Sequence, residues 1–317
     1  MIRTHTIATI ATITTTITIA AITLVALMAL LAISISVPGM ASVPANATPP
    51  VLDLVAILSD FGSSDYYAGA LAGSIYSANP SVRISTISNE VKPFDIAEGS
   101  YILAKAAKRY PPGTVFVGEV DPGSEKNRRF IVLETSDGKL FVGPDNGLFT
   151  EVMDELGLAH AYQITNRSLM SQGNESATFR GFYVYGPVAA HLAGGVPPEE
   201  VGPEIRDPVR LPVVQPKIAG SRITGTIVHI DRYGNLMTDI PGSLANEAGM
   251  ATGSKLTIAV GNQSFDATFA TTYGDVANGQ WLALISSDGQ LEVARNMANA
   301  AKTAGASAGE EITLIIH

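Results

Sequence analysis

Cysteine is missing from all 317 residues, so disulfides, thiolate metal ligands and cysteine nucleophiles are excluded. Histidine is scarce as well. Apart from His5 there are only His160, His191, His229 and His317. They are too scattered along the chain to suggest a zinc cluster, and no metal site is expected. Charged residues make up 15% of the chain, and the first 47 positions hold a single one, Arg3. Beyond that point 19 basic residues face 29 acidic ones, a formal charge of −10. Nucleic-acid phosphates need a basic face, so a nucleic-acid partner is not expected. Neither a Walker loop nor a GxGxxG after a strand occurs, which argues against a phosphate-cradling nucleotide site.

What is present begins with segment 1–47: Arg3, a Thr/Ile-rich apolar run, and an Ala45, Asn46, Ala47 exit. This is the pattern of a secretory signal peptide, implying a periplasmic or secreted protein. Its apolar core, 20–37, is also near the lower length limit for a membrane helix, which leaves a retained membrane anchor as the alternative. From 51 to 207 strand and helix patterns alternate. "LDLVAILS", "VRISTIS" and "GTVFVGEV" read as buried strands, and "DYYAGALAGSIYSA" and "DIAEGSYILAKAAKRY" as helices. Ser63 or Ser64 would cap the first helix, and a capping box of Asp95 and Glu98 the second. "RFIVLET" and "KLFVG" form a hairpin about Asp137-Gly138, and "YVYGPVAAHLAGG" a helix closed by Gly194. Such alternation predicts an α/β domain with a mostly parallel sheet. Residues 208–221, with no clear period, read as a linker. From 222 to 317 short strands with Gly, Asn and Asp turns predict a smaller all-β domain, a barrel or sandwich.

Ligands of open α/β sheets bind beyond the carboxyl ends of the strands. Asp60 and Asp121 both fall at predicted strand ends, and Asp65 lies within one turn of Asp60. Each alone is more simply a turn or helix cap. Together, three carboxylates at one edge need cations, which Arg128 and Arg129 of "GEVDPGSEKNRRFIV" can supply. That loop could be a surface hairpin, a metal or phosphate site, or a grip on a small polar reactant. In "HIDRYGNLMT", Asp231, Tyr233 and Asn235 cross a tight turn; an aromatic ring beside a carboxamide suits a purine and equally a plain β-turn.

In order and at similar separations, "SDFGSSDYYAG", "PFDIAEGSYIL", "GTVFVGEVDPG", "RR", "VGPDNGL", "IDRYGN" and "VARN" resemble the adenosine-forming S-adenosyl-L-methionine hydrolases. These are the hydroxide adenosyltransferases, related to the S-adenosylmethionine-dependent fluorinase and chlorinase. The resemblance covers about residues 52–317. It implies an α/β N-terminal domain, a C-terminal β-barrel, and a homotrimer with sites between subunits. By position, Asp60 would hold the ribose hydroxyls and Phe94 cover the ribose. Asp65 and Asp231 would lie by the methionine ammonium, and Tyr233 and Asn235 would meet adenine near the backbone of Arg295 and Met297. Tyr67, Phe179 and Ser287 are further substrate-binding positions.

Asp121 and Arg128 resemble two members of the family's Asp–Arg–His set, which activates the attacking water. The third departs: hydrolases of the family carry "TFHGRD" where this chain has "ATFRGFYVYGP", placing Arg180 at the histidine position. Arginine cannot act as a base. Arg180 would either stabilise hydroxide, leaving Asp121 as the proton acceptor, or pair with Asp121 and silence it. The expected activity is hydrolysis of S-adenosyl-L-methionine to adenosine and methionine without a cofactor. The alternative is an exported adenosyl-binding protein that has lost catalysis. Asp121 argues against a halide nucleophile, since the halogenases place uncharged residues at that turn.

Overall fold

The structure, a computed structural model, describes residues 52–123, 128–171 and 178–317. The expectations for segment 1–47 lie outside these residues. Among the described residues, no helix is long and apolar enough to cross a membrane.

The first sheet contains β1 (Leu54–Ser59), β2 (Arg83–Ser88), β3 (Val115–Glu119), β4 (Phe130–Thr135), β5 (Leu140–Pro144) and β6 (Leu158–Gln163), in the order β2-β1-β3-β5-β4-β6. The β1–β2, β1–β3 and β3–β5 pairs are parallel; β4 is antiparallel to both β5 and β6. Helices cover both faces. Val55, Ile57, Val115 and Val117 pack towards α1 (Tyr67–Ala78) and α4 (Gly186–Ala193). Ala56, Leu58, Phe116 and Phe141 pack towards α2 (Ile96–Ala107) and α3 (Thr150–Leu156). Burial on both faces explains why β1 and β3 are continuously apolar in sequence.

The helix starts differ in part from expectation. Asp95 caps α2, its side chain accepting the Glu98 N–H. Glu98 does not return the bond to Asp95; its carboxylate accepts the Lys92 N–H at 2.8 Å. Neither Ser63 nor Ser64 caps α1, which begins after Tyr66 with no side-chain cap. A wide π turn, Gly181–Tyr185, runs directly into α4, and Gly194 closes that helix.

The second sheet has eight strands: β7 (Lys217–Ala219), β8 (Arg222–Ile230), β9 (Leu236–Pro241), β10 (Lys255–Val260), β11 (Gln263–Phe269), β12 (Trp281–Ile285), β13 (Gln290–Arg295) and β14 (Glu311–Ile316). Pairing of β14 with β8 closes seven of them into a barrel, around which α5 (Gly242–Glu247) and α6 (Ala300–Ala304) are short additions. Ile223, Ile227, Leu236, Ile258, Val293 and Leu314 fill its interior. The remaining strand, β7, pairs with β8 and lies within the stretch read as linker. Three residues with Pro216 in front were too short to register as a strand. The α/β layer and the barrel touch where His229 of β8 stacks on Tyr101 of α2, ring centres 5.4 Å apart, with Nδ1 3.2 Å from a Glu98 carboxylate oxygen. This is a packing role for His229. His160 likewise packs, stacking on Tyr162 with ring centres 6.0 Å apart and meeting Glu204 at 2.9 Å.

Candidate active site

The carboxyl ends of β1 and β3 adjoin, with Ser59 paired to Glu119, and both strands run out at one crevice. Asp60 and Asp121 therefore share the wall of a single cavity of about 660 Å³, together with Tyr67, Phe94, Glu119, Arg128, Phe179 and Arg180. Asp121 is ion-paired to the Arg128 guanidinium, and its Oδ1 also accepts the Gly123 N–H at 2.8 Å. The neighbouring Arg129 turns elsewhere. It binds Asp145 at 2.8 Å and both the side chain and carbonyl of Asp207 at 2.8 Å. One arginine of the pair thus serves the cavity, and the other pins the chain leaving the α/β domain.

Arg180 lies over the ring of Phe130, 5.1 Å from its centroid, and makes no ion pair with any described residue. Asp121 is held by Arg128, so the silencing pair envisaged for Arg180 does not form. Aromatic rings make up one wall: Tyr67 stacks on Phe179 at 4.4 Å, and Phe179 on Phe182 at 5.3 Å. Burial raises the Asp60 carboxyl above the usual range, opposed by the Phe94 N–H it accepts.

A second cavity, of about 700 Å³, opens in the barrel domain and is lined by Asp231, Tyr233, Asn235, Tyr273, Arg295 and Met297. The Tyr233 ring is 78% exposed and Met297 85% exposed, whereas Asn235 is buried. Asp231 organises the turn: its Oδ1 accepts the N–H groups of Tyr233 and Asn235 at 2.9 and 2.8 Å, and Oδ2 the Asn235 amide at 3.0 Å. Gly234, with φ of 87°, completes it. Arg295 spends its guanidinium on the Gly279 carbonyl and the Thr303 hydroxyl. Tyr273 donates to buried Glu292 at 2.6 Å; burial sets the Glu292 carboxyl above its ordinary value, opposed by the Tyr273 hydroxyl, whose hydrogen bond favours the carboxylate.

Among the described residues, only three other than glycine have positive φ: Phe94 (68°), Phe179 (50°) and Met297 (53°). All three line the two cavities. Bulky side chains in this region are strained by about 1–3 kcal/mol each, and such strain gathers at ligand sites.

Two expected residues lie apart from these groups. Asp65 is exposed and its Oδ1 accepts the Tyr66 N–H at 2.7 Å. Ser287 is exposed in the β12–β13 hairpin. Neither belongs to the lining of the two cavities. Conversely, Glu119 was passed over within an apolar strand. The available signal was its position two residues before Asp121, which puts both side chains on one face.

Residues 55–202 match the SAM hydroxide adenosyltransferase N-terminal domain, and residues 225–313 the C-terminal domain of the same name. The (R)-S-adenosyl-L-methionine hydrolase of Salinispora tropica is 34% identical over 81% of this chain and 96% of its own length. That of Methanocaldococcus jannaschii is 31% identical over 84% and 97%. A fluorinase from Actinoplanes sp. is 28% identical over 86% and 99%. The crystal structure of an uncharacterized conserved protein from Thermotoga maritima superposes with a TM-score of 0.80 at 35% identity, covering 82% of this chain and 99% of that one. Matched in both domains and along most of its length, this chain belongs to the SAM hydroxide adenosyltransferase family.

Proposed function

We propose that this protein hydrolyses S-adenosyl-L-methionine to adenosine and L-methionine by attack of water on the ribose C5′. The observation that carries the reading is the Asp121–Arg128 ion pair in one cavity wall with Asp60 and Phe94. A carboxylate and a guanidinium side by side orient one water and stabilise the hydroxide that develops from it. Arg180 adds a second positive charge, stacked on Phe130. The sulfonium is already a cationic leaving group, so the displacement needs no cofactor or metal. Opposite charges merge in its transition state, and a dry, aromatic wall favours that. A halide in place of water would meet the Asp121 carboxylate.

The two cavities share no lining residue. The first offers acids and arginines for the sugar and reacting end; the second offers Tyr233 and Asn235 for the base. A homotrimer in which one subunit's first cavity faces the next subunit's second would serve the whole adenosyl group at once. With a periplasmic or secreted location, the substrate would be sulfonium nucleoside released from or imported past the cytoplasm.

Incubating the purified chain with each sulfonium epimer, and following adenosine by chromatography, tests the reading. Turnover no faster than that of Asp121→Ala overturns it. A second reading, an adenosyl-binding protein without chemistry, is favoured by Arg180, which cannot take a proton. It requires calorimetric binding of adenosine, no turnover, and activity gained on Arg180→His.

A further inference from the structure

Glu119 ends β3 with its side chain beneath the π turn that carries Arg180. It is buried, and its Oε1 accepts the Gly181 N–H at 2.9 Å. A Cβ at residue 181 would overlap Oε2, so the glycine leaves room for the carboxyl group where it lies. Among the described residues Oε2 has no hydrogen-bond partner, and neither has the buried Tyr185 hydroxyl. Both residues line the cavity of Asp121, Arg128 and Arg180. The residues before Glu119 on this face, Val115 and Val117, are apolar and pack in the core. A valine would continue that pattern without cost, whereas a buried carboxyl oxygen lacking a donor is expensive and rare.

The hydrolysis proposed above releases one proton per turnover, and the groups around Glu119 are poor acceptors for it. Arg128 and Arg180 are cations. Asp121 Oδ1 is engaged by Arg128 and the Gly123 N–H, and Asp60 Oδ2 by the Phe94 N–H. Tyr185 is a phenol whose proton is held more tightly than usual, by burial first and then by Glu119. From α1 comes only the Tyr67 phenol. The single titratable residue of α4, His191, sits in its last turn, away from Gly186.

We propose that Glu119 is the catalytic proton acceptor of this hydrolysis, an inference that rests on the hydrolase reading. The water oxygen bonds to C5′ while the C5′–S bond breaks, its electron pair passing to the methionine sulfur. The water proton goes to the Glu119 carboxylate and is lost to solvent as the products leave. Burial, with the Asp60 charge adding and the Gly181 N–H opposing, pushes the Glu119 carboxyl up to about 7. A base works best when poised near the working pH.

The test is Glu119→Gln, which keeps an oxygen for the Gly181 N–H but cannot take a proton. Adenosine release is followed across neutral pH for both proteins. The wild type should lose kcat/KM on the acid side of about pH 7. The variant should lose that limb and about 100-fold or more in kcat, with KM little changed. An infrared titration of the free protein provides the second measurement: a protonated carboxyl band vanishing near neutral pH in the wild type and absent from Glu119→Gln. Superimposable pH profiles in an active wild type, or no such band, overturn the proposal alone. A wild type releasing no adenosine overturns the hydrolase reading and this inference with it.

Discussion

Asp60 Oδ2 accepts the backbone N–H of Phe94 at 2.8 Å. The carboxylate that ends β1 thereby holds the strained turn presenting an exposed phenylalanine to the cavity. Asp60→Ala leaves that N–H without its partner and should cost about 1–3 kcal/mol in thermal denaturation. Adenosine binding should weaken about tenfold or more, since one good hydrogen bond to a charged group is worth that much. Asp60→Asn keeps an acceptor oxygen and should recover most of the stability. Equal melting temperatures for Asp60→Ala and wild type would show that the turn holds without the clamp.

The Gly181 position makes a sharper packing claim. A methyl group there runs into Glu119 Oε2, so Gly181→Ala should destabilise by about 1–3 kcal/mol as overpacking does. Shortening the acid in the double variant Glu119→Ala/Gly181→Ala should recover part of that loss, because neighbours in contact are not additive. Urea denaturation of the four proteins measures the coupling. Strict additivity would mean that the two residues do not compete for the same space.

Much of this arrangement could be read from the residues. Asp60 and Asp121 were placed by the rule that ligands gather at strand carboxyl ends, and β1 and β3 do end side by side. The strained Phe94, Phe179 and Met297 came from motif resemblance; no propensity scale marks a phenylalanine for positive φ. What stayed hidden depended on contacts distant in sequence. Arg128 and Arg129 are adjacent and chemically alike, and only the fold sends one to Asp121 and the other to Asp145 and Asp207. Glu119 looks like a strand residue until Gly181, 62 positions later, closes over it. The β7 strand was lost because three residues carry no period.

Glu119 also predicts how stability varies with pH. Burial lifts its folded value to about 7, above the ordinary glutamate value of 4.5, so between those values the native state holds a proton that the unfolded chain has released. The stabilisation is complete below about pH 4.5 and is lost as pH rises through about 7, a swing of a few kcal/mol at most. Asp60, Glu151 and Glu292 are raised by burial as well, so the diagnostic quantity is the difference between wild type and Glu119→Gln. The stability of the variant should fall less between pH 5 and 7. Parallel stability curves would place the Glu119 carboxyl in its ordinary range.

Arg180 separates charge from shape. Its guanidinium lies over Phe130 without an ion partner among the described residues, so its contribution to the cavity is a positive field held over that ring. Arg180→Lys keeps the charge and loses the fork and the plane; Arg180→Ala loses both. If the field stabilises developing hydroxide, kcat should fall about 10-fold in Arg180→Lys and about 100-fold in Arg180→Ala, with melting temperatures little changed. Equal activity in all three proteins would leave Arg180 outside the chemistry.

The separation of the two cavities permits a test of assembly that needs no structure of the complex. Asp121→Ala disables the first cavity and Asn235→Ala the second, so each variant alone should be inactive. Suppose that sites form between subunits, joining the first cavity of one chain to the second cavity of its neighbour. In trimers mixed at random from equal amounts, half of the first cavities and half of the second are intact. About one quarter of the sites then combine two intact halves, and about one quarter of wild-type turnover should return. A site completed within one chain would gain nothing from mixing, because every chain carries one lesion. Co-expression of the two variants under different affinity tags, with activity measured on doubly purified protein, distinguishes the cases. Because that purification removes the homotrimers, one site in three is intact and the return rises to about one third of wild-type turnover. A doubly tagged species without activity would assign both cavities to the same subunit.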